Sequence, residues 1–218
     1  MQKESALNPK RESRPRKNRS LRMSAHDRKD LVLRRAAELF SKRGFSGTTT
    51  ADLAKASATS EAMLYKLFGS KQGVYAALIE RQVQSHGDAI FPREAAARKD
   101  DREVLSVMAR EFLKSCDRDP SFMRLLHFSA LEGNELADMF YESRIREVIG
   151  FLSDYIRGRI REKALRRVNP DLASLAFLGM LSQYVMARQV FGMAEANTVP
   201  TETAAKTFVD LFLRGLQA

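Results

Sequence analysis

One short stretch of the chain concentrates side chains that bind phosphate: TTTADLAKASATSEAMLYKLFGSKQGVY. Thr49 and Ser70 each stand where a helix is expected to begin, and the free N–H groups and partial positive charge of a helix N-terminus attract an anion. Tyr65 can donate its hydroxyl to a phosphate oxygen. Lys66 and Lys71 can neutralise phosphate charge and release counterions. This pattern predicts contact with the backbone of a nucleic acid.

Apolar residues at helical spacing predict the elements that hold these side chains. The predicted helices run from 27 to 42, from Thr49 to about Ala56, from Ser60 to Gly69, and from Ser70 through Ile79. The second and third of these are short, and residues 57–59 join them in a tight turn. Two such helices form a helix-turn-helix, whose second helix enters the DNA major groove.

The exposed face of the third helix is expected to read base edges, chiefly through Glu61, Ala62 and Met63, and Ser60 at its start is also a predicted DNA contact. Met63 can pack against a thymine methyl group, and Glu61 can accept a hydrogen bond from cytosine N4. Glu61 can equally be a solvated carboxylate that repels nearby phosphates, so its role stays open.

Two longer motifs, AAELFSKRGFSGTTTADLAKAS and LYKLFGSKQGVYAAL, resemble the TetR family of bacterial transcriptional regulators over Arg28 to about Leu78. The resemblance implies an all-α fold, in which a three-helix helix-turn-helix domain precedes a helical bundle with an effector pocket and dimerisation helices. It also implies phosphate contacts by Thr49, Tyr65 and Lys71. Effector binding would then move the helical body against the fourth helix.

The sequence departs from the family pattern in two places. The turn has Ala58 and Thr59 where the family usually has Gly and an aliphatic residue, and residues 61–63 replace a frequent Lys-Gly-Thr. Alanine is tolerated at position 58 provided that it is not forced to a positive φ. The base preference of the third helix does not follow from the resemblance.

Charge divides the chain into unequal parts. Of the net charge of +10, residues 1–24 carry eight Lys or Arg against two Glu, and residues 28–80 carry nine basic against five acidic side chains. We expect a basic, disordered tail (1–26), a DNA-binding domain (27–80), and a nearly neutral effector-binding and dimerisation domain (81–218). The tail is interpreted either as a solvated segment or as a second contact with DNA.

The second half of the chain predicts long helices. One is expected over 135 to about 164, another from Asn169–Pro170 to Gly192, and a last one after Pro200–Thr201. The last two are too apolar to be buried easily within one subunit. The resemblance implies that they form a four-helix interface of a homodimer, and the alternative is a purely internal core.

Aromatic and Met residues between these helices are candidates for an effector pocket, although such residues usually form a core. The candidates are Met108, Phe112, Phe122, Met123, His127, Phe128, Phe151, Tyr155, Phe177, Met180 and Tyr184. His127 is interpreted as a hydrogen-bonded core residue, because no nearby His or Cys supports a metal site. Without a cluster of Lys or Arg, the expected ligand is hydrophobic or aromatic, and uncharged or cationic in preference to phosphorylated.

Several classes of function find no support in the sequence. The longest apolar stretches fall short of a membrane span, the lone Cys116 has no disulfide partner in the chain, and no glycine-rich phosphate loop, metal cluster or nucleophile motif occurs. We therefore expect a cytoplasmic protein that is neither an enzyme nor dependent on a cofactor or metal. The leading interpretation is a homodimeric, ligand-responsive repressor that binds a palindromic operator. The alternative is an architectural or replication-linked DNA-binding protein without a small-molecule sensor.

Overall fold

The computed structural model describes residues 24–118, 120–132, 138 and 140–217. This part of the chain is helical, without a strand; one isolated antiparallel bridge joins Leu165 to Gln217. The basic segment 1–23 and the beginning of the predicted helix at 135 lie outside the described residues.

Four helices form the N-terminal part: α1 (Ala25–Arg43), α2 (Thr50–Ala56), α3 (Glu61–Phe68) and α4 (Lys71–His86). Each begins at a residue whose hydroxyl oxygen accepts a backbone N–H three residues further on: Ser24, Thr49, Ser60 and Ser70. Such N-caps satisfy one of the free donors of a helix N-terminus and each contribute about 1 kcal/mol. The predicted starts of the three helices that follow α1 agree with these caps.

Three aromatic rings anchor the N-terminal core. Phe40 of α1, Phe45 of the turn after α1 and Tyr75 of α4 lie with ring centroids 5.4 to 5.6 Å apart. Phe40 and Tyr75 have no exposed surface. Leu53 of α2 and Leu64 of α3 are buried in the same cluster, which fixes the two short helices on α1 and α4.

The larger C-terminal part is a bundle. Its helices are α5 (Arg93–Ala97), α6 (Asp101–Arg118), α7 (Pro120–Leu131), α8 (Arg146–Arg161), α9 (Pro170–Val185), α10 (Ala194–Thr198) and α11 (Thr201–Leu216). A 3₁₀ turn, Gly87–Ile90, follows α4. Helix α11 packs along α6, and α9 packs along α8. The rings of Phe177 and Phe212 join α9 to α11, 4.9 Å apart.

Two π-helical turns modify the predicted long helices. Tyr141–Ile145 precedes α8, and Met186–Val190 follows α9, so α9 ends at Val185 and the chain leaves the helical path before Gly192. The predicted helix over 135 to about 164 ends at Arg161. Helices α5 and α10 were not predicted, because they are single short turns whose apolar residues show no helical period over a longer window.

Helix α7 lies between the two parts of the molecule. It packs against α1, and its Leu125 belongs to the N-terminal core while Met123 belongs to the C-terminal core. The hydroxyls of Tyr75 and Ser129 form a hydrogen bond between α4 and α7. Helix α7 thus contributes to both cores and joins the two parts of the molecule.

Candidate nucleic-acid interface and ligand cavity

The N-terminus of α2 is held by a reciprocal capping box. The Thr49 hydroxyl accepts the Asp52 N–H at 3.1 Å, and Asp52 Oδ2 accepts the Thr49 N–H at 3.0 Å and its hydroxyl at 2.7 Å. These bonds from Thr49 lower the pKa of the Asp52 carboxyl below its usual value. Thr49 therefore orients the helix start, and its hydroxyl proton already has an acceptor.

Helix α3 exposes a polar face with an aromatic residue. Ser60 accepts the Met63 N–H at 3.2 Å, and Leu64 points into the core. The exposed side chains of this helix are Glu61, Ala62, Tyr65 and Lys66, and 52% of Tyr65 is exposed. Met63 is less exposed, since it is half-buried. The predicted phosphate donors Tyr65 and Lys66 thus share one surface with the predicted base-reading positions.

Glu61 has a partner that the sequence analysis did not identify. Its Oε2 accepts the hydroxyl of Thr50 at 2.6 Å, which joins the start of α3 to the first turn of α2. This bond holds the carboxylate at the surface and leaves its second oxygen as an acceptor. A hydroxyl next to an N-cap is a weak sequence signal, so the pair could be identified only from the fold.

The ammonium group of Lys71 contacts the turn between α1 and α2. Its Nζ donates to the carbonyl oxygens of Phe45 and Thr48, both at 2.9 Å, and lies 4.1 Å from the centroid of the Phe45 ring. Two of its three donors are therefore used within the protein. Next to it, Ser70 caps α4 by accepting the Gly73 N–H at 3.0 Å.

A second candidate site is a cavity of about 360 Å³ in the C-terminal bundle, partly open to solvent and lined by α6, α7, α8, α9 and the π turn that precedes α8. Its lining is mostly apolar: Ile90, Phe112, Ser115, Cys116, Met123, Leu126, His127, Ala130, Phe140, Tyr141, Arg144, Ile145, Val148, Ile149, Leu175, Leu178, Gly179 and Ser182. This size lies in the range of small-molecule sites.

Only some of the predicted pocket residues line this cavity. Phe112, Met123 and His127 do. Met108 and Phe177 are fully buried in the core instead, and Tyr184 is buried and donates its hydroxyl to the Val199 carbonyl at 2.8 Å. Apolar side chains at helical spacing pack against neighbouring helices before they line a space, which is why these three belong to the core.

The other candidates lie elsewhere. Tyr155 donates to Asp101 at 2.6 Å, and burial together with this bond raises the pKa of its hydroxyl. Phe151 packs on Phe91, with centroids 5.5 Å apart, and Met180 lines a separate groove between α9 and α11. The side chains of Phe122 and Phe128 lie outside the described part of the structure.

The polar groups of the lining are few. His127 Nδ1 lies 2.7 Å from the carbonyl oxygen of Met123; because a carbonyl only accepts, Nδ1 carries the proton and Nε2 is left for another partner. Burial raises the pKa of the Cys116 thiol to about 12, so the thiol is protonated at neutral pH. The described residues include no group of three or more His, Cys, Asp or Glu side chains that could hold a metal ion.

Arg144 is the charged residue among the lining residues that were not predicted from the sequence. Buried residues recur every fourth position from 140 to 156 through the π turn and α8: Phe140, Arg144, Val148, Leu152 and Ile156. An arginine within a series that is otherwise apolar is a signal available in the sequence. A helical wheel drawn with 3.6 residues per turn does not place this series on one face, because the π turn shifts the helical phase.

The second of the two short helices exposes a hydroxyl group and a lysine, and a tight turn joins it to the first. This arrangement defines a helix-turn-helix DNA-binding protein with a helical C-terminal body. Residues 32–78 match the model of bacterial regulatory proteins of the tetR family, and residues 103–217 match that of the AefR-like transcriptional repressor C-terminal domain. The chain belongs to the TetR family, as the resemblance implied. Among the described residues, no helix is both long and apolar enough for a membrane crossing.

Individual relatives agree with this assignment. The nucleoid occlusion factor SlmA of Vibrio cholerae is 29% identical over 175 residues, which are 78% of this chain and 82% of that protein. The TetR family transcriptional regulator PfmR of Thermus thermophilus superposes with a TM-score of 0.66 at 25% identity, over 86% of this chain and 99% of PfmR. The flavonoid-responsive regulator FrrA superposes with a TM-score of 0.58 at 28% identity, over 88% and 98%.

Proposed function

We propose that this TetR-family regulator is a homodimeric repressor that binds a palindromic operator and leaves it when a small apolar molecule occupies the cavity. One observation carries this proposal: α7 contributes one side to the cavity and another to the DNA-binding half. Met123, Leu126 and His127 line the cavity, whereas Ser129 contacts Tyr75 of α4. A ligand that shifts α7 therefore acts on α1 and α4, which carry the helix-turn-helix.

The DNA contacts that we propose fall into two groups. Tyr65, Lys66 and the capped N-termini of α2 and α4 at Thr49 and Ser70 hold the phosphate backbone, since each offers donors or positive charge at the surface. Glu61 and Ala62, with Met63 at the edge, face the base pairs. Lys71 belongs mainly to the protein itself, because the turn after α1 already engages it.

The dimer interface that we propose consists of α9 and α11. Helix α9 exposes Leu172 at 64% and Leu175 at 53%, and α11 exposes Leu211 at 58%. The smaller residues Gly179 and Gly215 on the same two helices are exposed as well. An apolar surface of this kind on two adjacent helices is typical of an interface between subunits, and two copies would form a four-helix packing.

A selection of bound sequences from a random DNA pool, combined with sedimentation, tests this proposal. The full chain is expected to sediment as a dimer and to select a motif with dyad symmetry, with half-sites about 34 to 36 Å apart or slightly further. Leu175→Arg is expected to give monomers and to abolish the dyad. Leu131→Arg is the matched control, because Leu131 is 86% exposed and lies outside α9 and α11. A monomeric wild-type protein or a motif without symmetry overturns the proposal.

A second candidate is a nucleoid-associated function, favoured by the similarity to a nucleoid occlusion factor. In that case the protein would bind many sites over the chromosome, and ligand-dependent release of one operator would not be its purpose. The cavity favours the first candidate, and a flavonoid-responsive protein among the structural relatives agrees with it. The distribution of bound sites in the genome separates the two.

A further inference from the structure

Arg144 is a positively charged residue among those that line the cavity. It is the one Lys, Arg, Asp or Glu among the described residues that line this space, and only 8% of it is exposed. The π turn Tyr141–Ile145 positions it, and the same turn contributes Tyr141 and Ile145 to the lining. A buried cation needs compensation by hydrogen bonds or by an opposite charge.

The protein compensates this charge only in part. Nη1 lies 3.2 Å from Oε2 of Glu147, whose side chain is 51% exposed, and a half-solvated pair of this kind neutralises little. Within the part of the chain that the structure describes, the other contacts of Arg144 are neutral: the carbonyl of Gly87 and the ring of Phe91, whose centroid lies 5.0 Å from the guanidinium carbon. The guanidinium of Arg93 lies 5.5 Å from the centroid of the same ring, but Arg93 is exposed, so solvent screens its charge and it adds little to the potential there.

The remaining wall limits what else a ligand can carry. It is formed mainly by apolar side chains such as Ile90, Phe112, Leu126, Val148, Ile149 and Leu178. A molecule with several negative charges would bury them against hydrocarbon, at a cost that one arginine does not offset. A molecule with an apolar body and a single negative group fits both parts of the wall.

We propose that the cavity binds an apolar carboxylic acid in its ionised form, with the carboxylate on the guanidinium of Arg144. The planar guanidinium matches a carboxylate in shape, and a charge-assisted pair is about twice as strong as a neutral hydrogen bond. This inference rests on the proposed function, whose ligand class it specifies. It replaces the uncharged or cationic ligand expected from the sequence, because that expectation assumed a lining without a buried cation.

Arg144 also connects the ligand to the DNA-binding half. Its Nη2 donates to the carbonyl of Gly87, the residue that follows α4, and the other end of α4 carries the cap Ser70. A carboxylate that accepts from both Nη groups competes with this carbonyl. It therefore weakens the hydrogen bond that joins Arg144 to the end of α4. Acids are therefore expected to release DNA, whereas neutral analogues of the same shape bind weakly and release little.

Calorimetry on the whole chain given by the sequence tests the ligand class with matched pairs. The probes are octanoate with octanamide, and 2-naphthoate with 2-naphthamide, so that each pair shares one apolar body. At least one acid is expected to bind about tenfold more tightly than its amide, the range of a hydrogen bond to a charged group. Arg144→Gln is expected to weaken binding of that acid about tenfold and to leave its amide within about twofold.

Glu147→Gln gives an independent test, because Arg144→Gln also removes the bond to Gly87 and can lower stability. Loss of the competing carboxylate is expected to tighten acid binding about twofold without affecting the amide. Equal binding of acid and amide, or an acid preference that neither substitution changes, overturns this inference. If the amides then release DNA, the proposed function stands. Absence of binding by all four probes also overturns the acid proposal, while the selected DNA motif tests the proposed function separately.

Discussion

Glu132, the residue after α7, accepts the backbone N–H of Phe45 through Oε2 at 3.2 Å, and the N–H of Ser46 lies 3.4 Å from the same oxygen. Phe45 and Ser46 belong to the turn between α1 and α2. Gly44 in this turn has a φ of +71°, and a Cβ on it would lie 2.4 Å from Oε1 of Glu132. The glycine therefore permits both the left-handed backbone and the close approach of the carboxylate.

This contact predicts that Glu132 positions the helix-turn-helix. Glu132→Ala is expected to lower the free energy of unfolding by about 1 kcal/mol and to weaken DNA binding about fivefold, because two backbone donors lose their acceptor. Urea unfolding and a titration with labelled DNA measure these effects. Glu132→Gln keeps an acceptor oxygen and is expected to retain most of the affinity. If Glu132→Ala behaves like the neighbouring Leu131→Ala, the contact has no such role.

The two lysines of the DNA-binding half are expected to differ. Lys66→Ala should weaken binding to every DNA sequence and lower the slope of log affinity against log salt by about one, since the phosphate contact that we propose for this exposed lysine is lost. Lys71→Ala should instead cost about 2 kcal/mol of stability through its two hydrogen bonds and the Phe45 ring, with a smaller change in salt slope. Equal salt slopes for both variants would contradict this division of roles.

Ala58 is strained in the turn of the helix-turn-helix. Its φ is +49°, a left-handed value that glycine adopts freely and alanine does not. The proviso stated for alanine at this position is therefore not met. Ala58→Gly is expected to stabilise the protein by about 0.5 to 1 kcal/mol, because relief of left-handed strain exceeds the entropic cost of glycine. Ala51→Gly, at an exposed position within α2, should destabilise by up to about 1 kcal/mol. Thermal unfolding of both variants decides the point, and a loss of stability in Ala58→Gly would refute the strain.

The buried Tyr75 predicts alkaline sensitivity. Burial raises the pKa of its hydroxyl from 10.0 to about 12, so the folded state keeps the proton where the unfolded chain loses it. The contribution of this raised pKa to the free energy of unfolding is complete below pH 10. It falls as the pH rises toward 12, by up to about 1.4 kcal/mol per pH unit. In Tyr75→Phe, the free energy of unfolding lacks this dependence on pH. The stability gap between wild type and Tyr75→Phe should therefore shrink by about 1.3 kcal/mol between pH 9 and 11, measured by urea unfolding; a constant gap would contradict it.

Local chemistry made much of the fold predictable. The N-caps at Thr49, Ser60 and Ser70, and the Asn169–Pro170 start of α9, depend on hydrogen bonds or ring geometry within three residues, so their signals lie in the sequence itself. The order of the short helices followed from these caps and from apolar spacing.

Contacts between distant segments were not predictable in the same way. Lys71 and Phe45 are separated by 26 residues, and Glu132 and Phe45 by 87, so no pattern along the chain relates them. The cavity was predicted from residue type alone, and side chains such as Phe177 belong to the core because packing decides which apolar faces meet. The π turn before α8 shifts the helical phase and conceals Arg144.

Genome-wide mapping of the sites that the protein occupies in its own host tests the central claim most directly. A ligand-responsive repressor is expected to occupy one or a few sites, each with a dyad-symmetric motif at a promoter, and the motif should match the one selected in vitro. Many sites distributed over the chromosome without relation to promoters, or no enrichment of a symmetric motif, would contradict the account and favour the nucleoid-associated function.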